Sequence, residues 1–335
     1  MDCEPEELQF LSLFGIYRES LKLLVSWRPL FSKIAAAFVF PLSFLFLAHI
    51  HVSYYLFSSI DSDDSALDSA TPGSPAESHI LSRLFSDWAS LLLFKAFYLI
   101  ALLVFSLLST AAVVFTVASV YSAKDGLSFP RVLSVVPKVW RRLLVTFLAA
   151  FLFLFAYNFV SIALILIAVL PFVDQYPSSA GVVFILLFLP YLAGLVYVSV
   201  VWHLASVVSV LEDSKGFDAM GKSKALIKGK FWTAAAIFVK LNLCFVGVEV
   251  GFRKLVSEGR GFGAGGRLGW ALVMLVLLCA VVLLALVVQS VVYFVCKSHH
   301  HESIDKGNLA DHLEVYLGEY VPLKSKDVQL EQFHV

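Results

Sequence analysis

The segment 209-SVLEDSKGFDAMGKSKALIKGKFW-232 joins two long apolar stretches of the chain and carries five lysines. An echo of this segment, 119-SVYSAKDGLSFPRVLSVVPKVWRR-142, occurs earlier in the chain and aligns with it without a gap. The coinciding pairs are Ser119/Ser209, Val120/Val210, Gly126/Gly216 and Lys138/Lys228. A basic segment that twice connects two apolar stretches predicts an internally repeated membrane protein.

The composition supports this prediction. Of the 335 residues 59% are hydrophobic and 15% are charged, and the mean hydropathy is +0.85. Soluble domains are about 45–50% apolar and about 25% charged. The apolar residues form solid runs rather than alternating segments, which favours transmembrane helices over a β-barrel. We therefore predict an all-α integral membrane protein with six spans: Ile34–Phe57, Leu91–Tyr121, Leu143–Leu170, Gly181–Leu211, Trp232–Phe252 and Leu268–Cys296.

The distribution of Lys and Arg predicts the orientation. Eighteen of these residues fall on the side that holds both termini, and five fall on the other side. By the positive-inside rule both termini are expected to be cytoplasmic. The expected organisation is a cytoplasmic amphipathic segment at 1–33, a membrane domain at 34–296 and a flexible cytoplasmic tail at 297–335. The endoplasmic reticulum and the plasma membrane both remain open as locations.

A weaker third copy of the repeat, Gly15–Phe31, precedes the first span. The predicted unit is one interfacial helix followed by two spans, used three times in parallel. In the second connection Phe129, Val132, Val136 and Val139 recur at helical spacing, which is typical of a helix lying in the membrane interface. Basic residues of the second and fourth connections are expected to contact anionic lipid headgroups. This set comprises Arg131, Lys138, Arg141, Arg142, Lys222, Lys224, Lys228 and Lys230.

Other motifs predict little chemistry. The connection Ser58–Ala89 is rich in Ser, Asp and Pro, so we expect a solvated, disordered acidic loop rather than a calcium site. RGFGAGGR at 260–267 lacks the context of a dinucleotide site and is interpreted as a linker. The run His299–His301 is interpreted as a solvated cluster rather than a metal site. We expect no metal, no cofactor and no enzymatic activity.

Ionisable residues inside the spans are the basis of an alternative hypothesis. His203 and Lys240 lie within the predicted fourth and fifth spans. Such residues are costly in a bilayer and commonly face a bundle interior or an aqueous path. These two residues would serve a small-solute transporter or channel, although structural polar contacts are the more frequent explanation.

The opening segment also carries a family resemblance. The residues concerned are Val210-Leu211-Glu212, Gly216-Phe217, Ser223, Leu226, Lys228-Gly229 and Phe231-Trp232. This pattern resembles a plant family of uncharacterised six-span proteins sometimes labelled polyadenylate-binding-protein-binding proteins. It is more distantly similar to the membrane domain of bacterial glycerophosphodiester phosphodiesterases. The resemblance implies a helical membrane domain without assigned catalytic residues, and the label implies a cytosolic partner.

The leading hypothesis is a non-enzymatic membrane scaffold or adaptor whose basic linkers contact anionic lipid. Its expected partners are membrane lipids and, as a second class, another membrane or cytosolic protein. Direct binding of nucleic acid is not expected.

Overall fold

The computed structural model describes residues 10–69, 74–122, 127–173, 177–259 and 263–300. All regular structure in these ranges is helical, and none of it is β-strand. Six of the helices are long and apolar enough to cross a membrane. The prediction of an all-α protein with six membrane-spanning helices is confirmed.

The helices follow one another with short connections. Their bounds are α1 Leu13–Ser26, α2 Arg28–Ile34, α3 Phe40–Asp68, α4 Pro75–Tyr121, α5 Phe129–Val173, α6 Pro177–Leu211, α7 Gly216–Leu226, α8 Phe231–Phe252 and α9 Ala264–His299. A π-helical turn, Ala35–Val39, links α2 to α3, and another, Arg253–Ser257, follows α8. The predicted spans fall within the continuous run formed by α2 and α3 and within α4, α5, α6, α8 and α9.

The main core lies at one end of the bundle and takes residues from α1, α2 and α4 to α9. We call it the basic end because α7 and the start of α5 carry the predicted lipid-contacting residues there. The helix α4 is buried almost without interruption from Ser109 to Tyr121, and α9 from Val287 to Cys296. Most of these residues are small or β-branched, which lets helices approach closely.

The opposite end of the bundle is packed more loosely. A smaller cluster there joins Leu47 of α3, Phe252 of α8 and Leu278 of α9. The halves of α5 and α6 that lie away from the basic end also expose large apolar side chains such as Phe155 and Leu189. In a membrane this surface lies against lipid chains, so its exposure costs little.

The prediction of an interfacial helix in the second connection is wrong. Residues from Phe129 onward form the first turns of α5, which continues through Pro137 to Val173. The apolar stripe formed by Val132, Val136 and Val139 is at most 1% exposed and packs into the main core. A helix that packs on protein and one that lies on lipid need the same amphipathic spacing, so the pattern alone does not distinguish them.

The prediction of a disordered acidic loop at Ser58–Ala89 is also wrong for the part of it that the structure describes. The helix α3 continues to Asp68 and α4 begins at Pro75. Ser74 caps α4 by accepting the Glu77 backbone N–H at 3.2 Å, and proline is well suited to the first helical position. Contacts between the two helices in this region include Ser59 Oγ donating to Asp87 at 2.9 Å and Arg83 pairing with Asp63 at 3.4 Å.

Two further expectations lie wholly or partly outside the described residues. The predicted tail at 297–335 is described only up to residue 300, and the RGFGAGGR segment only from residue 263. The three-unit repeat remains a prediction.

Candidate functional site

The carboxylate of Glu212 connects three helices at the basic end. Glu212 directly follows α6, and its side chain is 13% exposed. Its Oε1 accepts a hydrogen bond from the Tyr293 hydroxyl at 2.5 Å and lies 3.5 Å from Lys297 Nζ, both on α9. Its Oε2 forms an ion pair with Lys222 of α7. We call these four residues the Glu212 cluster, which attaches α7 to the ends of α6 and α9.

The cluster determines the charge state of Glu212. Burial alone would raise the pKa of the carboxyl group, but hydrogen bonds from Lys222 and Tyr293 oppose that effect. The positive charges of Lys297 and Lys222 act in the same direction, so the pKa of Glu212 is held below its ordinary value. Glu212 is therefore ionised at neutral pH and acts as a fixed acceptor.

A second polar contact fixes the entry into α7. The hydroxyl of Thr146 on α5 accepts the backbone N–H of Gly216 at 2.8 Å and the Ser209 hydroxyl at 2.7 Å. Gly216 has φ +60°, in the left-handed region, and a Cβ there would lie 3.3 Å from Val145 Cγ1. Glycine is needed at this position because other residues pay about 1–2 kcal/mol in that conformation.

The far end of the same linker is also tied to the bundle. The Ser223 hydroxyl of α7 donates to the Val201 carbonyl of α6 at 2.8 Å. The ring of His300 binds the carbonyls of Leu226 and Lys228 at 3.1 and 3.0 Å. His300 is exposed, in agreement with the expectation of a solvated cluster, and its ring also contacts the linker, while His301 lies outside the described residues. Side chains of the opening segment that hold the connection in place are Ser209, Glu212, Lys222 and Ser223.

The predicted lipid-contacting residues lie together on α5, α7 and the turn that follows α7, but their surroundings differ. Lys222 belongs to the Glu212 cluster, and Arg142 pairs with Asp213 at 2.7 Å. Arg131 and Lys230 are half-buried. The exposed members are Lys138, Arg141, Lys224 and Lys228. We call these four residues the exposed basic set.

The structure separates His203 from Lys240. The ring of His203 stacks on Phe238 of α8, with centroids 4.6 Å apart, and its Nδ1 lies 3.1 Å from Gln289 Oε1. Lys240 is exposed, and its Nζ lies 5.3 Å from the ring centroid of Tyr17 on α1. Residues 238 and 240 are about 200° apart around a helix, so the two sites lie on different sides of α8.

A cavity at the opposite end was missed by sequence reasoning. It has a volume of about 590 Å³ and lies among α3, α4, α8 and the π-helical turn after α8. Its polar lining residues are His49, Ser53, Tyr54, Lys95, Glu249, Arg253 and Glu258. The sequence feature that could have indicated this cavity is the presence of two charged residues, Lys95 and Glu249, within apolar stretches. The contact of Lys95 with His49 of α3 depends on tertiary packing.

Comparison with known proteins bears on the family rather than on the activity. The model of a domain of unknown function, DUF8558, matches residues 1–333. Searches of the curated proteins and of the solved structures found no match. The expectation of an uncharacterised family is confirmed, whereas these matches give no support to the resemblance to the plant proteins or the bacterial phosphodiesterases. The chain belongs to the DUF8558 family, whose function is unknown.

Proposed function

We propose that this protein is a membrane scaffold or adaptor that presents a positively charged surface at its basic end. Anionic lipid headgroups are the first partner of this surface, and an acidic segment of a membrane or cytosolic protein is the second. The observation that carries the proposal is the placement of the exposed basic set on α5, on α7 and on the turn after α7, where ion pairs and hydrogen bonds hold these elements together. The scaffold acts through binding and performs no catalysis.

The charges of this surface support the proposal. Lys138 and Arg141 lie near the start of α5, and Lys224 lies on the neighbouring helix α7. A basic residue near an anionic membrane surface contributes about 1 kcal/mol of attraction. Several such residues on adjacent elements therefore give a useful preference for anionic lipid.

The packing beneath the surface gives a further reason. Lys222 pairs with Glu212 and Arg142 pairs with Asp213, which anchors α7 and α5 to the residues that follow α6. The exposed residues are then presented by an ordered support, so less conformational entropy is lost when a partner binds.

The test uses the full-length protein in mixed micelles of phosphatidylcholine and phosphatidylserine. We expect Lys224→Gln with Lys228→Gln to lower phosphatidylserine enrichment around the protein several-fold, with about fivefold per charge as an upper bound. Added salt should reduce the difference because it screens exposed charges. Lys254→Gln, an exposed charge at the other end, is the control. Equal enrichment in all three proteins at low salt would refute the lipid contact.

A further inference from the structure

The cavity at the opposite end contains an unusual lysine. Lys95 of α4 lies half-buried beside α3, and its Nζ is 2.6 Å from His49 Nε2. Among the described residues Lys95 forms no ion pair with a carboxylate. A half-buried ammonium whose partner among the described residues is a neutral imidazole has no opposite charge beside it, which favours binding of an anion.

Two more donors line the same cavity. An ammonium has no acceptor, so His49 Nε2 must accept from Lys95 and the ring proton resides on Nδ1. That Nδ1 and the hydroxyl of Ser53 are buried without hydrogen-bond partners among the described residues. The ring of His49 is held by stacking on Tyr98, with centroids 3.8 Å apart. All three residues line the cavity. Because the His49 Nδ1 and Ser53 Oγ atoms are enclosed by protein, side-chain rearrangement on binding would bring them to join the Lys95 ammonium in donating to an anion.

Negative charge is present on the other side of the lining. The carboxylate of Glu249 forms an ion pair with Arg253, with Nη2 3.4 Å from Oε1. Glu258 is exposed, also lines the cavity, and forms no ion pair among the residues that the structure describes. A ligand with one anionic and one cationic group would match Lys95 and Glu258 together.

The position along the bundle indicates where such a ligand would come from. Glu249 lies about 27 Å along α8 from Phe231 at 1.5 Å per residue, close to the hydrocarbon thickness of about 30 Å. The cavity is thus level with the lipid headgroups of the leaflet opposite the basic end. Phe46, Ile50, Phe57 and Phe245 supply an apolar lining, as a lipid backbone requires.

We propose that this cavity binds the headgroup of a zwitterionic phospholipid. The phosphate lies against Lys95, His49 and Ser53, and the ammonium lies against Glu258. A volume of about 590 Å³ is within the usual range of small-ligand sites, about 300–1,000 Å³. This site is separate from the exposed basic set, which lies at the other end of the bundle.

The test measures saturable binding to the full-length protein in dodecyl maltoside. The probes are dihexanoyl-phosphatidylethanolamine, dihexanoyl-phosphatidylglycerol, phosphoethanolamine and inorganic phosphate. We expect the phosphatidylethanolamine probe to bind best and Lys95→Met to weaken it by about tenfold or more, the effect of one charge-assisted hydrogen bond. Glu258→Gln should remove the preference over phosphatidylglycerol while leaving phosphatidylglycerol binding intact. Lys254→Met, a neighbouring exposed lysine that does not line the cavity, should change nothing.

Several results would overturn the proposal. These are absence of saturable binding, unchanged affinity in Lys95→Met, and equal binding of inorganic phosphate and the short-chain lipid, which would indicate a soluble anion as ligand. If Lys95→Met does not fold, Ser53→Ala replaces it, with an expected loss of about fivefold for one neutral hydrogen bond. Wild-type affinity in that variant would also count against the site.

Discussion

Replacing Glu212 by glutamine tests whether the Glu212 cluster holds α7 in place. The substitution keeps the shape of the side chain and removes its charge. The hydrogen bond from Tyr293 falls from the charge-assisted range, about 1.5–3 kcal/mol, to the neutral range of about 1 kcal/mol. Lys222 is 38% exposed, so solvent reduces its share to about 0.5 kcal/mol, and the 3.5 Å contact of Lys297 adds little. We expect the free energy of unfolding to fall by about 2 kcal/mol.

The assay is reversible unfolding of the full-length protein by dodecyl sulfate in mixed micelles at neutral pH. The matched control is Asp213→Asn, because Asp213 is adjacent in sequence, pairs with Arg142 and is 70% exposed. An exposed pair of this kind contributes about 0–1 kcal/mol, so the control should cost about 0.5 kcal/mol or less. Equal losses in the two variants would show that burial of Glu212 has no special effect, and the reasoning would be wrong.

The stability difference between wild type and Glu212→Gln should also depend on pH. Because the folded-state pKa of Glu212 is lowered, its contribution is complete above the unfolded-state pKa and is lost as the pH falls through the folded-state pKa. The stability difference between wild type and Glu212→Gln should therefore shrink on the acid side of the ordinary glutamate pKa. A difference that stays constant through that range would contradict the assigned shift.

Two further substitutions probe the entry into α7 by the same unfolding assay. Thr146→Val should cost about 1–3 kcal/mol because it leaves the buried Gly216 N–H without its acceptor, whereas Thr116→Val, which loses a bond only within its own helix, should cost less. Equal costs would exclude a special role for the contact with Gly216. Gly216→Ala should cost about 1–2 kcal/mol, whereas Gly221→Ala, in open space within α7, should add about 0.5–1 kcal/mol of stability. A neutral Gly216→Ala would refute the need for a left-handed residue there.

The spans could be predicted from sequence because the bilayer requires long apolar helices whatever their neighbours are. Which faces pack on protein could not be predicted in the same way. Phe155 lies 61% exposed on α5, and Phe294 lies 1% exposed on α9. Both are phenylalanines in solid apolar runs, and lipid and protein interior accept them equally well. Only the tertiary arrangement separates them.

The polar sites show the same limit more sharply. Lys222 and Lys224 are two positions apart in a segment correctly recognised as a basic connection. The first is paired with Glu212 and the second is exposed, because Glu212, at the end of α6, lies beside the face of α7 that carries Lys222. The contact between Lys95 and His49 joins different helices in the same way. Local spacing carries no information about such partners.

The one-ended core of α4 imposes unequal mutational tolerance along a single helix. From Ala111 to Ala118 its side chains are almost entirely enclosed by protein, whereas Leu92 and Phe97 are largely exposed. Enclosed positions restrict volume, since an added methylene must displace a neighbour. Positions whose side chains are exposed to lipid require only that the side chain be apolar. Related sequences with this fold should therefore exchange apolar residues freely around Leu92 and Phe97. They should retain small residues between Ala111 and Ala118.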